Sequence, residues 1–309
     1  MNGFIVSGGV LLTILGLAGC ASWNAERNAP PIGAFIDVDG ERLHIVDAGP
    51  RDSAKPPVII IHGASVNLRD VKMSLGDRLA ADRRVIMIDR PGRGYSTRPD
   101  DGWRLAVQAQ YIKAAADALE VENPIIVGQS FGGAVALSYA LEYQDEMSGI
   151  VLLAAVSHEW PGGIAWYNSA SQIPLLGQIL RRFVIPVYGA LAAEDGIEDS
   201  FQPDEAPEDY YERSGLALLF RAKDFKSNAA DIAHLKAEII AQQGRYESLT
   251  LPVAIVTGTE DTTVSPDLHS KALASEVEGA SLTLLPDTGH ALHHSQTEAI
   301  LAIIDGISR

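Results

Sequence analysis

The sequence predicts an α/β fold: a mostly parallel sheet with helices on both faces, interrupted once by an inserted segment. Three observations predict it. First, Val58-Ile59-Ile60-Ile61, Val85-Ile86-Met87-Ile88, Ile125-Ile126-Val127 and Ile150-Val151-Leu152-Leu153 are short and apolar throughout, as a strand must be when helices cover both faces of its sheet. Second, helical stretches lie between these runs, including Ala106 to Leu119 and Gly132 to Tyr143. Strand alternating with helix argues for parallel pairing through right-handed crossovers. Third, the alternation stops after His158 and returns only after Ser227.

In chain order, Phe35 to Val38 and Leu43 to Val46 flank Asp39-Gly40, a dipeptide suited to the positive φ angles of a tight hairpin, so the sheet should start antiparallel. The apolar runs then supply the central strands. Residues 159–227 are rich in Trp, Tyr, Pro and acidic side chains, with Gln202-Pro203-Asp204-Glu205-Ala206-Pro207-Glu208-Asp209 near their middle, and they read as an insertion. The alternating pattern resumes with a helix over Asn228 to Gln243, a strand over Val253 to Val256, a helix over Leu268 to Val277, a strand over Ser281 to Leu285 and a terminal helix from Gln296.

With 309 residues, 47% of them hydrophobic, the chain can bury a large core. Its 24 basic against 40 acidic residues, a formal charge of -16, work against phosphate backbones and anionic membrane surfaces, both of which want clustered Lys and Arg, so nucleic acid is excluded as a partner. Beyond the N-terminus no apolar run reaches the length of a bilayer-spanning helix.

Chemistry concentrates at Gly128-Gln129-Ser130-Phe131-Gly132, between the run Ile125 to Val127 and a helix start. A serine on such a strand-to-helix turn sits in a strained conformation, and its neighbours two positions away must be small because strand and helix approach closely. Serine needs a base within hydrogen-bond reach and a carboxylate to orient that base. His290, after the last strand in Gly289-His290, is the candidate base, with His293 and His294 as rivals. Asp261, past the end of the strand Val253 to Val256, is the candidate orienting acid, with Glu260 and Asp287 as rivals. The oxyanion of a tetrahedral intermediate would take the backbone N–H of Phe131 and a second from the loop His62-Gly63-Ala64-Ser65. Ala64 is the choice there and Ser65 the rival. His293-His294 without spaced carboxylates or thiolates is weak metal evidence, and no phosphate-cradling glycine loop stands out, so no cofactor or metal is expected.

His62-Gly63, Asp89-Arg90-Pro91-Gly92-Arg93-Gly94-Tyr95-Ser96, the serine elbow, the aspartate loop and Gly289-His290 together resemble the α/β-hydrolase superfamily, in its order, from about Pro31 to Arg309. The resemblance implies an eight-stranded, mostly parallel sheet with a helical cap inserted after the strand Ile150 to Ala154. It makes residues 32–158 and 228–309 the hydrolase core and 159–227 the cap, and Asp89 to Ser96 a structural turn. Relatives with epoxide hydrolase or haloalkane dehalogenase activity carry aspartate where this chain has Ser130. A serine accepts an acyl group instead. The expected activity is carboxylic-ester hydrolysis of a small-molecule acyl substrate through an acyl-enzyme on Ser130. C–C, amide or thioester hydrolysis, or cofactor-free perhydrolysis, with the same three residues is the alternative. A non-catalytic ligand-binding lipoprotein is a further one.

The segment Phe4 to Gly19 is apolar or small and ends Leu17-Ala18-Gly19-Cys20, which resembles a bacterial lipoprotein signal peptide, although Met1-Asn2-Gly3 carries no Lys or Arg. The resemblance implies a signal over residues 1–19, cleavage before Cys20, lipid on Cys20, and a tether over residues 20–31. The protein would then be held to a membrane outside the cytoplasm, the outer one if the host has two. An uncleaved N-terminal anchor helix is the alternative. Cys20 is the only cysteine, so no intrachain disulfide is possible. Composition leaves the oligomeric state open.

Overall fold

The computed structural model describes residues 22–307. The expectations for the signal segment 1–19 and for Cys20 lie outside the described residues. Eight strands form one sheet: β1 Ala34–Val38, β2 Glu41–Ala48, β3 Val58–Ile61, β4 Val85–Ile88, β5 Ile125–Gln129, β6 Gly149–Leu153, β7 Val253–Gly258 and β8 Ser281–Leu285. Their spatial order is β1-β2-β4-β3-β5-β6-β7-β8. β2 pairs antiparallel with both β1 and β4, and every later pairing is parallel. Asp39 and Gly40 take φ of 48° and 84°, the tight hairpin expected between β1 and β2.

The all-apolar runs are buried on both faces because alternate side chains feed two separate cores. Ile59, Ile61, Ile86, Ile88 and Ile126 pack with the helices Leu105–Ala118 and Phe131–Tyr143. Val58, Ile60, Val85, Met87, Ile125 and Val127 pack on the other side with Leu68, Val71, Ile300 and Ile304. Period-2 alternation, invisible in a run of identical character, is thus expressed as a choice of core.

Between β6 and β7 the ordered elements are helices. The long helix Ala222–Gln243 starts six residues before the predicted Asn228. The reason is packing: Phe225 and Ala229 bury against Ile185 of the insertion, while Leu235 and Ile239 reach the sheet core. Residues 22–28, read from sequence as part of a tether, are helical. Ala25 and Ala29 are buried against Leu218, and Tyr95 donates its hydroxyl to the Ala29 carbonyl at 2.7 Å, so apolar contact and a hydrogen bond hold the segment down.

The order of strands positions the site. β3 is followed by β4 on one side and its neighbour β5 by β6 on the other, so the connections after these adjacent parallel strands leave in opposite directions. A crevice opens at such a switch point. Ile61 pairs with Gly128, which places His62-Gly63 beside the turn after β5. Close approach there demands glycine. A Cβ on Gly128 would lie 2.5 Å from the Gly132 carbonyl oxygen and 2.7 Å from Ala136 Cβ, and one on Gly132 would collide with the carbonyls of Ile61 and His62. Gly132→Ala should therefore cost about 2 kcal/mol or more of unfolding free energy in urea titrations, by the magnitude typical of overpacking. Gly163→Ala, where an added Cβ meets nothing within 4 Å, should cost little; equal midpoints for the two variants would contradict this account.

Candidate active site

Ser130 follows β5 and takes φ 52°, ψ -117°, a conformation unfavourable for a residue with a Cβ. Four hydrogen bonds hold it there: its N–H donates to the Leu153 carbonyl at 2.9 Å, and its carbonyl accepts from Gly133 N at 2.9 Å, Val156 N at 3.2 Å and Ala134 N at 3.4 Å. The surrounding backbone thus imposes the strain and sets Ser130 at the turn between β5 and the helix Phe131–Tyr143.

β7 and β8 bring the other two groups together. Thr259 N–H donates to the Leu285 carbonyl at 2.9 Å and Glu260 N–H to the Thr288 carbonyl at 3.0 Å, tying the loops after the two strands side by side. His290 Nδ1 then lies 2.8 Å from Asp261 Oδ2. Asp261 Oδ1 accepts the N–H groups of Thr263 and Val264, each at 2.8 Å, so both carboxylate oxygens are engaged and the carboxylate cannot turn away. A proton on Nδ1 shared with Asp261 leaves Nε2 as a lone-pair acceptor. That Nε2 lies 3.4 Å from the side-chain nitrogen of Gln129, the residue preceding Ser130. Glu260 and Asp287 are exposed, and neither meets the ring.

His293 and His294, the rival bases, turn elsewhere. Their Nε2 atoms lie 2.9 and 2.8 Å from the two oxygens of Asp70, and Tyr210 donates its hydroxyl to Asp70 at 2.7 Å. Burial pushes the Asp70 carboxyl up, but the two imidazoles together outweigh it and hold it well below the usual carboxylate range. Among the described residues this is the one group of three with metal-ligand chemistry, its donor atoms within 4.8 Å of one another. The carboxylate absent from the local sequence comes from 223 residues away. Its oxygens take both imidazoles and a phenol, while the other ring nitrogen of His293, Nδ1, is buried without a hydrogen-bond partner.

The oxyanion-hole candidates separate in the structure. Ser65 N–H donates to Asn228 Oδ1 at 2.7 Å and is spent. The N–H groups of Ala64 and Phe131 meet no protein acceptor among the described residues. Sequence reasoning missed what stands behind them. Arg90, from the turn after β4, is fully buried and donates from Nε to the His62 carbonyl at 3.0 Å and from Nη2 to the Gly63 carbonyl at 3.1 Å. His62 Nδ1 lies 2.9 Å from the same Gly63 oxygen. The Gly63 carbonyl and the Ala64 N–H belong to one peptide, so two donors on the oxygen, one of them charged, polarise that N–H. The guanidinium also stacks 4.2 Å from the Phe131 ring centroid. Asp231 and Gln108 anchor it at 2.9 and 2.8 Å. Burial lowers Arg90 to about 10, with Asp231 opposing, which leaves it cationic near neutral pH. The sequence places Arg90 in a turn, Asp89 to Ser96, whose resemblance implies only a structural role. That reading suits its neighbour Asp89, whose carboxylate takes Leu68 N, Tyr95 N and His44 Nδ1.

The chain matches the family model described as the alpha/beta hydrolase fold over residues 56–297. It belongs to that family and is a hydrolase of the α/β fold. It is 34% identical over 258 residues to the 2-hydroxy-6-oxo-6-phenylhexa-2,4-dienoate hydrolase of Burkholderia cepacia, covering 81% of this chain and 85% of the relative. To the 2-hydroxymuconate semialdehyde hydrolase of Pseudomonas putida it is 26% identical over 290 residues, 91% of this chain and 96% of the other. The crystal structure of wild-type Cfl2 from Burkholderia cenocepacia superposes with a TM-score of 0.75 at 19% identity, covering 89% of this chain and 95% of that one.

His62 provides a direct check on the site's electrostatics. Burial, helped by the Arg90 charge, pushes its imidazole down to about 3. Nitrogen NMR should show it neutral, with the proton on Nδ1, from about pH 7 to about pH 4.5, where an unperturbed histidine is mostly imidazolium. An imidazolium signal growing in near about pH 6 would contradict this.

Proposed function

We propose that this hydrolase cleaves carboxylic esters by acyl transfer through Ser130. The observation that carries the reading is the His290–Asp261 contact at 2.8 Å, which fixes a base whose Nε2 lies 3.4 Å from Gln129, the neighbour of Ser130 in its strained turn. Ser130 Oγ attacks the acyl carbon and passes its proton to His290 Nε2, while Asp261 holds the ring and stabilises the imidazolium. The N–H groups of Phe131 and Ala64 receive the oxyanion, each donor contributing about 2.7 to 4 kcal/mol by precedent. His290 returns the proton to the departing alkoxide. Water, deprotonated by the same nitrogen, then attacks the acyl-enzyme and frees Ser130. None of these steps calls for a cofactor. Arg90 acts through the Ala64 peptide as a positioning residue.

A second reading keeps these residues and changes the bond to a carbon–carbon bond beside a ketone. The 6-oxo-dienoate named for the Burkholderia cepacia relative favours it. Parallel assays with p-nitrophenyl acyl esters and with 6-oxo-dienoates separate the two.

We also propose that Cys20 carries lipid and holds the enzyme on a membrane outside the cytoplasm, on the strength of Leu17-Ala18-Gly19-Cys20 after an apolar run. Palmitate incorporation that persists in Cys20→Ala would refute it.

Ser130→Ala should bring ester turnover to background and abolish labelling by a fluorophosphonate probe. Asp261→Asn should lower kcat by about 10,000-fold by analogy with other serine triads. Arg90→Lys keeps the charge but cannot span both carbonyls, and should lower kcat about tenfold with KM little changed, a fraction of the cost of deleting a donor. A raised KM at constant kcat would assign Arg90 to substrate binding instead.

A further inference from the structure

The insertion between β6 and β7 carries an unusual surface. Among the described residues sixteen large apolar side chains are exposed, and ten of them fall between Trp166 and Leu191. Trp166 is 72% exposed, Leu175 74%, Tyr188 61% and Leu191 79%. Apolar side chains scattered singly over a surface need no explanation, whereas a concentration of this kind marks an interaction face. The elements that carry it are packed together: Tyr167 meets Phe225 with ring centroids 6.3 Å apart, and Ile185 buries against the same Phe225.

Charge is sorted in the same way. In a chain of net charge -16, residues 160–193 contain no Asp or Glu and two basic residues, Arg181 and Arg182. Arg182 is exposed. Acidic residues return immediately, at Glu194, Asp195, Glu198 and Asp199. A face that is apolar, cleared of carboxylates and carrying one exposed cation can enter a bilayer surface that the rest of this acidic chain would be repelled by.

The N-terminus enters the fold at this face. Ser22, Asn24 and Ala25 line one cleft with Pro186 and Ala190, from the helix Ile185–Leu191 that exposes Val187, Tyr188 and Leu191. The apolar sequence Phe4 to Gly19 and Cys20 therefore join the described chain beside the apolar patch. A membrane holding that segment, or a lipid on Cys20, lies within a few residues' reach of the patch.

We propose that the face formed by residues 166–191 docks into the surface of a lipid bilayer, so that the cap, and not the N-terminal attachment alone, sets how the enzyme lies on the membrane. The same insertion reaches the site. Ala291 N–H, one residue from His290, donates to the Ser200 carbonyl at 3.1 Å. Docking thus turns the cap that contacts the His290 loop toward lipid, and favours apolar acyl substrates dissolved in the bilayer. This last step rests on the ester reading above; the docking does not.

The test uses the full chain on vesicles of phosphatidylethanolamine and phosphatidylglycerol. An environment-sensitive fluorophore is attached through Leu175→Cys or, as a control, Glu278→Cys, an exposed position near the amino-terminal end of β8. Wild type treated identically reports whether Cys20 is free to react, which judges lipidation separately. The expected result is a blue shift and strong quenching by doxyl-labelled phosphatidylcholine at position 175, with neither at 278. Absence of both at 175 overturns the proposal. So does a blue shift at 175 that grows with protein concentration in the absence of vesicles, which would assign the face to a second copy. Leu175→Asp combined with Leu191→Asp, both at exposed positions, should leave the unfolding temperature unchanged. It should lower the ratio of vesicle-embedded to water-soluble ester turnover about tenfold, as expected for removing two inserted leucines. The fluorescence arm stands even if no ester is cleaved.

Discussion

The structure around Ser130 depends on how closely the helix Phe131–Tyr143 approaches the sheet. Gly128 and Gly132 leave no room for a Cβ between β5, the helix and the end of β3. That proximity lets Leu153, Gly133 and Val156 grip the backbone of Ser130 and hold it at positive φ. It also brings the Phe131 N–H and the His62–Ser65 loop to one place. The strain is local, and the all-apolar central strands buried in two cores supply the stability that sustains it.

A second constraint is electrostatic. Arg90 places a guanidinium against the carbonyls of His62 and Gly63, the second of which belongs to the same peptide as the Ala64 N–H, and over the ring of Phe131. Burying that charge is tolerable because Asp231 is buried beside it, itself shared with Arg98, and because Gln108 and two carbonyls take the remaining donors. The neutral His62 is part of the same design. It offers Nδ1 to the Gly63 carbonyl and accepts the Arg90 N–H at Nε2, which requires one proton on the ring. The turn Asp89 to Ser96 is thus divided between Asp89, which folds the turn, and Arg90, which serves the candidate oxyanion hole.

The insertion couples these parts to the surroundings. Phe201 and Tyr210 pack with Ala291, next to His290, and Tyr210 joins the Asp70, His293 and His294 cluster. Gly289 lacks a side chain where the Gln202 carbonyl comes down on it. The loop bearing the candidate base is therefore built from cap contacts as much as from β8, and the same insertion carries the exposed apolar residues between Trp166 and Leu191.

Much of this was legible in the sequence. Runs such as Val58 to Ile61 announced a doubly covered sheet because only a strand buried on both sides can be apolar at every position. Ser130, His290 and Asp261 could be named because their loops follow strands at one end of a parallel sheet. What the sequence could not decide were contacts between residues far apart in the chain. His293 and His294 rivalled His290 until Asp70, 223 and 224 residues away, claimed them. Ser65 rivalled Ala64 until Asn228 took its N–H. The purpose of Arg90 lay in carbonyls it meets only when β3 and β4 pair. Periodicity and turn chemistry act over a few residues and are written locally. Which donor meets which acceptor across the sheet is set by packing, and only the tertiary structure decided it.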